Sequence, residues 1–115
     1  MKHFNMSEFA CPCCGENETD ILFVLGLDRA REAACTPFVI NSGYRCEEHN
    51  RHVGGSETSS HLRGEACDID AKTAHQKFLI LRALFELGFT RIGVGEDFIH
   101  VDVDTEKPDR LVWTY

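Results

Sequence analysis

Apolar positions along the chain gather into short periodic groups between polar runs, and their spacing predicts the elements. Residues 1–19 show no sustained period and read as a turn-rich opening segment. From Asp20 to Ala34 a helix is predicted, with Asp20 as its cap and a partly apolar stripe at Ile21, Val24, Leu25, Ala33 and Ala34. Pro37 closes it off, and Phe38 to Ile40 reads as a short strand. A polar stretch follows, Asn41 to Gly64, rich in Gly, Ser, Asn and His. A long loop of this kind in a small domain points to function or disorder.

That stretch runs into an alternating strand, Glu65 to Ala71. Ala66, Asp68 and Asp70 share one face of it, and Cys67, Ile69 and Ala71 the other. Thr73 to Leu87 is the clearest helix, with Phe78, Leu79, Leu81, Arg82, Leu84 and Phe85 at helical spacing and Gly88 as its stop. Arg91 to Val94 and Phe98 to Val103 read as a hairpin about a Gly-Glu-Asp turn. The order helix, strand, loop, strand, helix, hairpin predicts an α+β domain. With 115 residues, and without repeats or a low-complexity linker, one domain spanning 1–115 is expected.

Charge narrows the partners. Nineteen acidic against twelve basic residues give a net charge of −7, which argues against a nucleic-acid surface or binding to an anionic membrane. The longest apolar run, Ile21 to Leu27, is far too short to span a bilayer. Met1 to Phe9 carries no apolar signal core, so synthesis in the cytoplasm without a cleaved signal is expected. Six cysteines are many for this length. Cys11-Pro-Cys-Cys-Gly15 looks like half of a zinc knuckle, and Cys46 is the best partner for it. Cys11 or Cys13 is expected near Cys46, as a disulfide bracing the loop after Arg45 or as a second metal site; simple free thiols are the plainer alternative. Cys67, on the face opposite Asp68, should be inert.

On the last strand Ile99, Val101 and Val103 should face the core, and Phe98, His100, Asp102 and Asp104 the other side. Alone, those polar residues could be a solvated face. They are preceded by Ser59-Ser-His61-Leu-Arg-Gly64-Glu-Ala66-Cys-Asp68, of the form S-x-H-x-x-G-x-A-x-D. His61, Asp68 and His100 supply three N/O ligands that can converge and leave one position free, the layout of a catalytic zinc site. Asp97, three residues before His100, is placed to take a proton from the attacking water, with Glu96 as its competitor. Arg45, in Ser42-Gly-Tyr44-Arg45, can donate a bidentate pair to a carboxylate or a developing oxyanion.

These pieces, with Asn50, Val53-Gly-Gly55, Asp97-Phe-Ile-His100-Val-Asp102 and Trp113, resemble in order the zinc D-alanyl-D-alanine carboxypeptidases and L-alanyl-D-glutamate endopeptidases. The opening Ser7-Glu-Phe-Ala-Cys11 resembles compact members found in phages and prophages. The resemblance implies a small α+β domain with helices packed on an antiparallel sheet, of the hedgehog/DD-peptidase kind. It implies zinc on His61, Asp68 and His100, a general base at Asp97 and a carbonyl-stabilising Arg45. Ser59, Tyr44, Asp102, Asp70 and Trp113 are expected around the substrate or behind the ligands. Peptidoglycan peptides are the implied partners and a monomer the expected state, acting at the cell wall or periplasm if released by a phage. The alternative is a non-catalytic zinc-binding module of a phage particle on the same scaffold. Some members carry a His two residues before the base, where this chain has Gly95.

Overall fold

The computed structural model describes residues 1–115. Its first helix, α1, runs Ile21–Ala34, with the Asp20 carboxylate accepting from the Leu22 N–H as N-cap. α3 runs Ala74–Glu86 under a capping box, in which Thr73 accepts from the Gln76 N–H and the Gln76 side chain accepts from the Thr73 N–H. Between them lie β1 (Ile40–Ser42), α2 (Glu47–His52), a 3-10 turn (Ser60–Arg63) and β2 (Ala66–Asp70). β3 (Arg91–Val94), β4 (Phe98–Asp102) and β5 (Leu111–Thr114) complete the chain.

The five strands form one sheet in the order β1-β2-β4-β3-β5. Every pair is antiparallel except β3–β5, which is parallel. The architecture is α+β, and the expected hairpin is β3–β4. Three readings of the pattern need correction. The first strand begins at Ile40, not Phe38. The polar stretch 41–64 carries α2 and the 3-10 turn; it is not structureless. A fifth strand, β5, was not foreseen; it lies parallel to β3, and the rest of the sheet is antiparallel as expected.

Alternation along β2 and β4 gives the sheet two chemically distinct faces. Cys67, Ile69, Ile99 and Val101 point into the core, where Phe23, Val24, Leu27 and Ala30 of α1 and Ile80, Ala83 and Leu84 of α3 cover them. The apolar stripes are met in part: Val24, Ala34 and Leu84 are buried as expected, whereas Ile21, Leu25, Phe78 and Phe85 are exposed and Phe23, Leu27 and Ile80 join the interior. Asp68, His100 and Asp102 line the cleft on the opposite face.

The opening segment is fastened to this body. The Asp28 carboxylate, near the middle of α1, accepts from the N–H groups of Lys2 (3.0 Å), His3 (2.7 Å) and Phe4 (3.2 Å). Phe9 is fully buried, and its carbonyl accepts from the Tyr44 N–H at 2.8 Å, joining the segment to the start of the Arg45 loop.

Candidate metal centre

His61 is delivered by the 3-10 turn. Ser59 caps that turn, accepting from the His61 N–H at 3.2 Å, and Gly64 ends it with φ of +70°. A side chain at Gly64 would be strained by that angle, and its Cβ would lie 2.0 Å from the Glu18 carbonyl oxygen. β2 delivers Asp68 and β4 delivers His100, directly opposite one another in the ladder.

One donor atom from each of His61, Asp68 and His100 falls within 4.8 Å of the others. Asp68 Oδ1 is 2.9 Å from His100 Nδ1 and 3.4 Å from His61 Nε2. The far nitrogen of each ring is engaged. His61 Nδ1 donates to the Gly43 carbonyl at 2.8 Å, and His100 Nε2 donates to Asp102 Oδ2 at 2.7 Å. Both partners are acceptors, so the remaining nitrogen of each ring faces Asp68, and with a cation bound there it would present a lone pair. Two imidazole lone pairs and a carboxylate aimed at one point form a set that suits a divalent cation, and three N/O donors suit zinc.

The electrostatics agree. Burial raises the Asp68 pKa, but its bonds to His100 and His61 outweigh that and hold the carboxyl well below the usual range. Burial lowers the His100 pKa, but Asp102 and Asp68 outweigh that and raise it. The site therefore favours positive charge where the donors meet.

Arg91 was not foreseen. It is buried at the start of β3, donates to Asp102 Oδ1 at 2.6 Å and lies over the Trp113 ring at 5.1 Å. It thereby fixes the carboxylate that fixes His100. Behind the turn, the buried pair Ser60 and Asp104 (2.8 Å) ties the His61 segment to the chain beyond β4.

A cleft of about 420 Å³ opens over the donors. Among its lining residues are Arg45, Ser59, Phe98, Asp102, Trp113 and Tyr115. Arg45 Nε donates to Ser42 Oγ (3.0 Å) and Nη1 to Asn50 Oδ1 (3.3 Å), which leaves Nη2 3.6 Å from Asp68 Oδ2. Tyr115, also unforeseen, packs its ring 5.1 Å from Phe98. A larger hollow of about 590 Å³ beyond Arg91 contains none of the three donors, which all line the smaller cleft.

Three expected residues stand outside the cleft lining. Tyr44 is buried against the opening segment beside Glu18, and burial first, then Glu18, pushes its pKa up to about 12. Asp70 pairs with Lys72 Nζ at 2.6 Å, near the end of β2. Asp97 is exposed just ahead of β4, adjacent to the cleft residue Phe98; its carbonyl accepts from the Ala71 N–H. A Cβ at Gly95 would lie 2.1 Å from the Phe98 ring, so the ring takes the space a side chain there would need.

A sheet that backs onto helices and presents two histidines and an aspartate in an open cleft is the framework of a metal-dependent hydrolase. The family profile for Peptidase M15 matches residues 2–102, and the chain belongs to that family of metallopeptidases. The fold is similar to that of the L-Ala D-Glu endopeptidase ChiX of Serratia marcescens, with a TM-score of 0.54 and 23% identity over 76% of this chain and 82% of that one. No curated protein is a significant match. No helix is long and apolar enough to cross a membrane.

Proposed function

We propose that the chain is a zinc-dependent peptidase that hydrolyses peptide bonds in the peptidoglycan stem peptide. The observation that carries this reading is the convergence of His61, Asp68 and His100, with the outer nitrogen of each ring held by an acceptor. His61, Asp68 and His100 would hold the zinc, which when bound polarises a carbonyl and eases the loss of a proton from water.

The chain's own groups do the rest. Arg45, braced by Ser42 and Asn50, donates to the carbonyl oxygen as negative charge grows on it, or to a substrate carboxylate. The proton of the attacking water needs a free carboxylate. The two that line the cleft are committed, Asp68 to the metal and Asp102 to Arg91 and His100. The base in this reading is Asp97, the position the family resemblance implies, next to the cleft residue Phe98 with Glu96 as its rival; it passes the proton to the leaving amine. Trp113 and Tyr115 offer aromatic walls to the substrate. The likeness in fold to an L-Ala D-Glu endopeptidase favours endopeptidase over carboxypeptidase cleavage.

Digestion of purified peptidoglycan, with the new ends identified by mass spectrometry, tests the reading. New amino termini on D-Glu are expected with the unmutated protein and not with His100→Ala. New ends only at D-Ala-D-Ala would reassign the bond. If the zinc-loaded protein released nothing, the non-catalytic zinc module would be the better account.

A further inference from the structure

The opening segment and the Arg45 loop meet at sulfur. The Sγ atoms of Cys11, Cys13, Cys14 and Cys46 all lie within 4.8 Å of one another. Cys11 and Cys13 are 3.6 Å apart, Cys11 and Cys46 3.7 Å, and Cys13 and Cys46 3.3 Å. All four are free thiols. Tetrahedral zinc with bonds of about 2.3 Å to sulfur sets its ligands about 3.8 Å apart. The spacing is therefore that of sulfurs around one ion.

The backbone is arranged for such an ion too. Gly15, at φ of +77°, returns its N–H to the Cys11 carbonyl at 2.8 Å, closing a tight turn that brings three cysteines to one side. The Cys46 N–H points at Cys11 Sγ (3.5 Å) and the His49 N–H at Cys46 Sγ (3.4 Å). Donors aimed at sulfur favour the thiolate, the form that binds metal.

We propose that Cys11, Cys13, Cys14 and Cys46 bind one structural zinc ion, distinct from the ion of the cleft. An all-thiolate tetrahedral set selects zinc or iron among common ions, and a closed four-ligand site is structural, with no position left for water. The ion ties the opening segment to Cys46, which caps α2 and directly follows Arg45. It braces the loop that aims the guanidinium. This inference does not depend on the substrate of the cleft.

The test is metal analysis of the full chain purified under reducing conditions, with thiols alkylated in the native and the chelated states. Two zinc ions per chain are expected, falling to one in Cys14→Ser and in Cys46→Ser and, independently, to one in His100→Ala. Cobalt substitution should give a thiolate charge-transfer band that the two serine variants lose and His100→Ala keeps. Should the serine variants fail to fold, the unmutated protein still decides. With zinc bound, exposed Cys13 and Cys14 should resist alkylation while exposed Cys35 is modified, and chelation should release them. A single zinc that only the histidine variant removes would overturn the proposal. So would Cys13 and Cys14 reacting as fast as Cys35 with zinc loaded, a disulfide among the four in protein alkylated at lysis, or iron in place of zinc.

Discussion

Asp102 holds His100 from behind: its Oδ2 accepts from Nε2 at 2.7 Å, while the opposite ring nitrogen faces Asp68 at 2.9 Å. Arg91 sits on the other carboxylate oxygen at 2.6 Å and holds it in place; burial raises the Asp102 pKa, but His100 and then Arg91 outweigh that and lower it. The three residues form a relay of orientation in which a buried ion pair orients the ring proposed as a metal ligand.

Asp102→Asn should therefore weaken zinc binding in the cleft by about 10–100-fold, because the amide accepts less well from Nε2 and leaves the buried Arg91 undercompensated. Chelator competition measures this. Unchanged affinity would reduce Asp102 to a structural partner of Arg91.

Asp97→Asn should retain fold and zinc and lose nearly all turnover, since an amide cannot accept the water's proton. Glu96→Gln, on the same exposed turn, should remain active. The kinetics of the two variants on wall peptides separate them. The opposite result would move the base to Glu96, and two active variants would remove the carboxylate step from the turn altogether.

Arg45→Ala should keep the cleft zinc and lower kcat by about 100- to 1,000-fold if the guanidinium stabilises the oxyanion. If it holds a ground-state carboxylate instead, KM should rise with kcat little changed. Full steady-state kinetics on one stem peptide distinguish the two roles.

Acid should loosen the opening segment. Burial raises the Asp28 pKa, but N–H groups from Lys2, His3 and Phe4 outweigh that and bring it below its ordinary value. A depressed folded pKa means the stabilisation is fully present above the unfolded carboxylate value of about 3.9 and is lost as pH falls through the folded one. Asp28→Asn should be less stable than the unmutated protein at neutral pH, with the gap closing below about pH 4. Urea unfolding midpoints across pH 2–8 would show this; a gap independent of pH would exclude the carboxylate's charge as its source.

The ends of α1 and α3 were legible to within a residue because their signals are local: Asp20 as cap and Pro37 beyond α1, and Gly88 after α3, with Thr73 proving to be a cap and not the first helical residue. The convergence of His61, Asp68 and His100 was legible through an ordered motif, and the family through the pieces around it. β5 was not. It is four residues long, largely exposed, and its partner β3 lies about twenty positions earlier in a parallel register that no local pattern marks. α2 was hidden because its one buried residue is Asn50 and its cap is a cysteine. The Arg91–Asp102 pair was hidden because the hairpin pattern does not say that these charges are buried, which depends on distant neighbours such as Trp113 of the unforeseen β5.

The sheet order also sets when during synthesis the cleft can acquire its ion. His61 and Asp68 are seven residues apart and can meet as soon as β2 leaves the ribosome. His100 is 32 residues further on and reaches them only when β4 pairs with β2, after α3 has been made and folded back. Until that ladder closes, the nascent chain offers a two-coordinate site of low affinity. Tight binding thus coincides with the pairing of β2 with β4, so metal uptake and closure of that ladder should occur as one kinetic event, with β5 added afterwards.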